Sequence, residues 1–373
     1  MAREHLTKSL TWVIKIGSSL LTDNGRGLNN DSIAAWVKQI SELADSGVRI
    51  VLVSSGAVAE GVVRLGLPGR PSAIHEQQAA AAVGQMGLIQ AYESHFKKYS
   101  KHTAQILLTH DDLSDRKRYL NARSTLNALL DMKVIPVINE NDTVVTDEIC
   151  FGDNDTLAGL VANLINAEVL VILTDQEGLY ETDPRKDSQA KLVKEARSND
   201  PSLMSMAGGS SGSIGKGGMQ TKIKAARLAS RSGTATVLAH GSSPEVLLEL
   251  KQGKAVGTLL LPDEQPVNAR KQWLASHLKV CGTLVLDTGA VNVLKASGSS
   301  LLPVGVKSVK GNFRRGDLVA CADEESKVIA HGLVNYSSDE AERIIGKSSE
   351  QIFEILGYDG EHELVHRDNL ALT

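Results

Sequence analysis

A chain of 373 residues exceeds the usual size of one domain and suits two, since α/β domains rarely run past about 250 residues. At 42% hydrophobic and 23% charged it can bury substantial cores, which excludes a fibrous, low-complexity or wholly disordered protein. With 40 Lys and Arg against 44 Asp and Glu the formal charge is −4, so no global positive field draws the chain to nucleic acid or anionic lipid.

Met1 to Ser9 stay polar where a signal peptide would turn apolar, and no later apolar run is long enough to span a bilayer, so a soluble protein is expected. Leu10 to Ile16 form an apolar run broken at Gly17-Ser18-Ser19, a buried strand with one anomaly, Lys15. Asn30 or Asp31 can cap a helix whose apolar positions Ile33, Trp36, Ile40 and Leu43 recur at three- and four-residue steps before Gly47. A strand over Arg49 to Val53 ends in Ser54-Ser55-Gly56-Ala57. The same grammar repeats in Ala104 to Leu108 with a helix after Arg118, in Val134 to Ile138 with a helix after Asp155, and in Val169 to Leu173. Val-, Ile- and Leu-rich strands separated by amphipathic helices predict an α/β three-layer sandwich around a mostly parallel sheet, spanning residues 1–262. Such sheets bind ligands at the carboxyl ends of their strands. Here those ends carry Lys15 to Ser18, Ser54 to Gly56, Asn139 to Asp142 and Thr174-Asp175.

A glycine-rich run, Gly208 to Gly218, leads into a helix over Met219 to Ser232. Beyond Pro262, residues 263–278 read as a polar linker. Short β runs at Thr283 to Leu286, Leu301 to Val309, Asp317 to Ala320 and Val328 to Val334 then predict a small β-barrel-like domain over 279–358, with 359–373 as a tail. Cys150, Cys281 and Cys321 are too far apart for a zinc knuckle or CxxC motif, and their odd number fits a reducing, cytoplasmic setting.

Several of these residues carry chemistry. Glycines between 208 and 218 let backbone N–H groups turn toward an anion, and the following helix adds positive charge at its N-terminus. The run is not the usual P-loop, because Gly215-Lys216 is followed by Gly217; a flexible loop is the alternative. Lys222 lies on the first turn of that helix. Lys15, ending a buried strand, needs an anion to offset a dehydration cost of several kcal/mol. A nearby carboxylate can supply it, and so can a phosphoryl oxygen approaching beside Gly17. Lys15 and Lys222 can then flank one triphosphate.

Between Asn139 and Asp155 stand Glu140, Asp142, Asp147, Glu148, Asp153 and Asp155, with no Lys or Arg. The segment is either a solvated acidic loop or, given Val144, Val145, Ile149 and Phe151, a partly buried one. Buried, it can hold the α-ammonium of an amino acid, with Asn side chains reading the carboxylate and remaining acids organising Mg²⁺. Ser54-Ser55-Gly56 lacks a nucleophile-elbow frame and suits hydrogen bonding to substrate or phosphate. His362-Glu363-Leu364-Val365-His366 matches the zinc-protease string, but that chemistry demands a helix and a downstream ligand, and only Asp368 remains.

Together Val13 to Ser19, Val53 to Ala57, Pro136 to Asp142, Phe151 to Asp155, Leu173 to Asp175 and Gly217 to Lys222 resemble the amino-acid kinase family. Ser299 to Pro303, Gly311 to Phe313 and Arg315 to Asp317 are similar to the PUA domain that many of these kinases carry, so the resemblance spans nearly the whole chain. It implies transfer of the γ-phosphoryl group of ATP to the γ-carboxylate of L-glutamate, giving L-glutamyl 5-phosphate for proline biosynthesis. It implies catalytic roles for Lys15, Lys222 and Asp153, and glutamate binding by Ser55, Gly56, Asn139, Asp142, Asn154 and Asp155. ATP would meet Lys15, Gly17, Thr174, Asp175, Lys216, Gly217, Gly218, Met219, Gln220, Thr221 and Lys222, with Mg²⁺ carried mainly by the phosphates and no firm protein ligand. Lys216 stands where the family has a small or hydroxylated residue. The family further implies a homo-oligomer, feedback inhibition by proline and pairing with a glutamyl phosphate reductase. A γ-carboxylate is already ionised at neutral pH, so such a reaction needs no general base. It needs cations to bring two anions into line.

Two other readings stand beside this one. An enzyme of the same fold can use aspartate, N-acetylglutamate or a nucleotide, although the acidic segment suits an acceptor with a free α-ammonium. Alternatively, the PUA-like region binds RNA through Lys307, Lys310, Arg314 and Arg315.

Overall fold

The computed structural model describes residues 3–22, 27–145, 154–208, 218–262, 280–297, 299–358 and 360–372. Eight strands form the first sheet: β1 Thr11–Ile16, β2 Arg49–Val53, β3 Thr103–Leu108, β4 Ile135–Glu140, β5 Val169–Thr174, β6 Glu195–Arg197, β7 Ala235–His240 and β8 Thr258–Leu261. Their order is β3-β4-β2-β1-β5-β7-β8-β6, and every pairing is parallel except β7 with β8. The mostly parallel α/β sheet is the expected one. Its chain order reverses at β1, which has β2 on one side and β5 on the other, so the loops after β1, β2 and β5 open onto a shared crevice.

Five helices matter to that crevice: α1 Asn30–Asp45, α2 Ala57–Arg64, α3 Ile74–Lys97, α4 Asn154–Ile165 and α5 Met219–Ser230. Helix α1 buries Ile33, Trp36, Ile40 and Leu43 as its periodicity predicts, but its cap is Asn29, whose side chain accepts the Ser32 N–H at 3.0 Å. Trp12, Ile14 and Ile16 of β1 join Trp36, Leu88, Tyr92 and Phe96 in the main core. Successive strand residues face opposite sides, which turns Val13 and Lys15 to the other face, where α4 packs on β1 and α5 on β7.

No element was expected over residues 74–97, because the Ala79 to Ala82 run and Gly84 and Gly87 blur any helical stripe. Small residues serve close approach instead. A Cβ on Gly61 would lie 1.7 Å from the Ala80 carbonyl oxygen, and one on Gly84 1.9 Å from that of Ala57, so α2 and α3 cross nearly backbone to backbone.

The chain divides into two compact units, Met1–Leu113 with Arg123–Pro266, and Ser114–Ala122 with Val267–Thr373. In the second, β9 Val280–Leu286, β10 Val306–Gly311, β11 Leu318–Ala322, β12 Val328–Leu333 and β13 Leu370–Leu372 form a sheet in the order β10-β9-β11-β12-β13. A ten-residue helix, α6 Thr288–Ser297, stands between β9 and β10 where only short β runs were expected. Ala290, Val291, Val293 and Leu294 read equally well as strand or helix. Residues expected to trail as a tail instead supply Leu364 and Val365 to the core and β13 to the sheet. The expected linker lies wholly outside the described residues. Among the described residues no helix is long and apolar enough to cross a membrane.

Candidate functional site

Lys15 is the penultimate residue of β1 and Asp155 the second of α4, while Lys222 sits in the first turn of α5. The sheet and the α4–α5 pair bring the three together. Lys15 Nζ lies 2.7 Å from Asp155 Oδ1, and Lys222 Nζ lies 3.1 Å from Asp155 Oδ2. Thr221 donates its hydroxyl to the same Oδ2 at 2.6 Å. The group is sealed, at 4% exposed for Lys15, 0% for Asp155 and 5% for Lys222. Burial alone would raise the Asp155 pKa, but Lys15, then Lys222, and the hydrogen bonds from Lys15 and Thr221 hold it well below the usual carboxylate range. Lys222 is pulled down by burial and by Lys15, with Asp155 opposing. Two ammonium groups and one carboxylate leave a net positive charge. The arrangement therefore attracts a multiply charged anion.

Beside it lies a chain of amides. Asn154 Nδ2 lies 2.9 Å from the Ser54 carbonyl oxygen, 2.8 Å from Ser55 Oγ and 2.9 Å from Asn139 Oδ1, three acceptors that share its two hydrogens, and Asn139 Nδ2 donates to Gln85 Oε1 at 2.8 Å. Asn154 Oδ1 is buried with no hydrogen-bond partner among the described residues, as is Asp142 Oδ1. Burial pushes the Asp142 carboxyl up to about 7, with Arg70 pulling the other way. Gly56, at φ 98°, turns the chain from β2 into α2, a left-handed conformation in which a side chain is strained.

On the other flank, Thr174 Oγ1 bonds Asp175 Oδ1 at 3.0 Å, and the Asp175 charge acts on Lys222. Gly17 donates its N–H to Leu173 O at 3.2 Å; a Cβ there would come 3.9 Å from Lys15 Nζ, so the glycine keeps that side of the ammonium open. Gly218 and Gln220 are exposed at the start of α5, and Met219 is half-buried. Asp153, Lys216 and Gly217, like Asp147 and Glu148, lie outside the described residues.

The structure thus gathers Lys15, Lys222 and Asp155 directly, and Ser55, Asn139 and Asn154 through the amide chain. Asp155, expected against the acceptor, has both oxygens engaged by lysines. Asn139, expected there too, has both amide atoms engaged by Gln85 and Asn154. Sequence reasoning missed Gln85, Tyr92 and Arg70. A signal existed for Gln85: it falls on the buried stripe Gln77, Ala81, Leu88, Tyr92, where a glutamine needs a polar partner.

Elsewhere, no helix forms over 361–366, and His366 Nε2 lies 3.7 Å from Glu363 Oε1, so the zinc-protease string has neither its helix nor its geometry. In the second unit Lys307 pairs with Glu324 at 2.6 Å and Arg315 with Glu361 at 3.4 Å, which offsets half of the basic patch considered for RNA.

Comparison with known proteins adds independent observations. The profile of the amino acid kinase family matches residues 11–240, and that of the PUA domain matches residues 282–356. The chain is 60% identical to a protein of Chromohalobacter salexigens and 60% identical to one of Pseudomonas fluorescens strain Pf0-1, both named glutamate 5-kinase. The alignments cover 100% of this chain and 98% and 100% of those proteins. Among solved structures, the UMP kinase of Bacillus anthracis is similar at 17% identity and a TM-score of 0.48, over 69% of this chain and 97% of that one.

Proposed function

The chain belongs to the amino acid kinase family, and from that premise we propose that it phosphorylates the γ-carboxylate of L-glutamate with ATP to give L-glutamyl 5-phosphate, the first step of proline biosynthesis. The observation that carries the reading is the meeting of Lys15 and Lys222 on one buried carboxylate at the carboxyl edge of the sheet. Asp155 holds the two ammonium groups apart and aimed, and their positive charge offsets that of the β- and γ-phosphate oxygens and of the group in flight. Thr174, Asp175 and the start of α5 border the nucleotide.

Glutamate lies on the amide side. Asn154 Oδ1 and the Asp142 carboxylate accept from its α-ammonium, and Ser55 and Gly56 meet its carboxylate. Asn139 serves from behind Asn154. No residue has to remove a proton, because the attacking carboxylate is already ionised; the site neutralises and aligns two anions. Mg²⁺ bound to the phosphates would screen their charge. With both Asp155 oxygens on lysines, the ion would enter on the nucleotide.

The test is a trapping assay: the purified chain with ATP, Mg²⁺ and hydroxylamine, offered L-glutamate, L-aspartate, N-acetyl-L-glutamate or UMP. Glutamate-dependent hydroxamate and ADP are expected. A preference for the N-acetylated acceptor would overturn the assignment of Asp142 and Asn154 to an ammonium.

A further inference from the structure

Gln78, Gln85 and Tyr92 stand seven residues apart on α3 and therefore share one face of the helix. Each reaches a segment of the site. Gln78 Nε2 donates to the Val145 carbonyl at 3.3 Å, Gln85 Oε1 accepts from Asn139 Nδ2 at 2.8 Å, and Tyr92 OH lies 3.1 Å from Ser54 Oγ. The longest helix of the first unit thus backs the acceptor side of the crevice with polar groups, although none of its residues belongs to a recognisable motif.

One backbone atom decides the polarity of the middle contact. The Ser54 carbonyl can only accept, so the Asn154 atom 2.9 Å from it is the NH₂ group. The Asn139 atom 2.9 Å from that nitrogen is then Oδ1, which turns the Asn139 NH₂ toward Gln85 and requires Gln85 to present its oxygen. Asn154 in turn directs Oδ1 away from the chain. That buried oxygen is an acceptor facing no described partner.

We propose that Gln85 is a positioning residue for the acceptor amino acid: it anchors Asn139, and through Asn139 holds Asn154 with its oxygen toward the substrate ammonium. The inference rests on the reading of Asn154 as a glutamate contact. Without an acceptor at position 85 the Asn139 NH₂ is buried and unpaired, its side chain loses the bond that presses it against Asn154, and Asn154 is held by the serine contacts alone. The contacts of Lys15 and Lys222 with Asp155 involve neither Gln85 nor Asn139. The loss therefore falls on glutamate binding and not on phosphoryl transfer.

Steady-state kinetics test this on the full chain. Gln85→Met, which keeps the length and removes the acceptor, is expected to raise KM for glutamate about ten-fold, with kcat within about two-fold and KM for ATP unchanged. Gln85→Glu, which restores an acceptor oxygen, should bring KM back to within about three-fold of wild type. Gln85→Asn keeps a polar amide but withdraws it by one methylene, and should behave as the methionine variant does; it carries the test if Gln85→Met does not fold. A wild-type KM in both Gln85→Met and Gln85→Asn overturns the proposal, as does a parallel loss in kcat and both KM values that Gln85→Glu fails to repair. Hydroxamate formation by the wild-type chain is measured first. Its absence would overturn the kinase reading, whereas its presence with an unmoved KM would overturn only the role of Gln85.

Discussion

Replacing Asp155 by Asn removes one charge from the middle of a sealed triad. At an effective dielectric near 20, each ion pair is worth roughly 5–6 kcal/mol at separations of 2.7 and 3.1 Å. Burying the three ions opposes that attraction, so the quantity measured on breaking the group is smaller, about 3–5 kcal/mol. The amide oxygen still accepts from one lysine, which places the expected loss near the lower end, about 3 kcal/mol. For a domain of this size that lowers Tm by about 6–12 °C. The pH dependence has a definite sign. Lys15 and Lys222 hold the folded-state pKa of Asp155 below its unfolded value near 3.9, so its contribution is complete above about pH 4 and is lost as pH falls through the folded value. Thermal unfolding of both proteins should show a constant gap from pH 7 to pH 5 that narrows below about pH 4. Equal stabilities at pH 7, or a gap that widens in acid, would refute the picture of an ionised carboxylate between two charged lysines.

Further expectations concern the same crevice. Lys222→Met should lower kcat by about 10²–10³-fold while KM for glutamate stays within about three-fold; normal turnover would remove Lys222 from the transferring group. Because burial pushes the Asp142 carboxyl up to about 7, kcat/KM for glutamate should rise with pH through that value as the carboxylate forms and attracts the ammonium. Asp142→Asn should raise KM by about ten-fold or more and flatten that rise, and an unchanged pH profile in the variant would assign the titration to another group. Gly84→Ala puts a methyl 1.9 Å from the Ala57 carbonyl oxygen and 2.3 Å from the Gly61 nitrogen. It should cost about 2 kcal/mol, seen as about 4–8 °C in Tm, with KM for glutamate rising as α2 is pushed off Ser55 and Gly56. An unaltered melting curve would mean the crossing can yield.

Much of this protein is written locally. An apolar strand containing a single lysine marks Lys15 as a buried cation in need of an anion. A glycine run before a helix marks Lys222, and alternating strands and amphipathic helices predict a parallel sheet whose carboxyl edge holds the chemistry. These properties depend on neighbours within a few residues, so they survive without coordinates. The identity of partners does not. Either a carboxylate or a phosphate would satisfy Lys15 as read from the chain. Asp155 takes that place because β1 lies between β2 and β5 while α4 and α5 stack on the Lys15 face. Gln85 was hidden for the same reason: a glutamine in an alanine-rich helix has no meaning until Asn139 is found 2.8 Å away. Helix α6 and strand β13 escaped because their apolar residues acquire a core only when remote strands assemble around them. Burial and periodicity follow the chain, but charge pairing and hydrogen-bond polarity follow distance through space, which only the packing of remote segments determines.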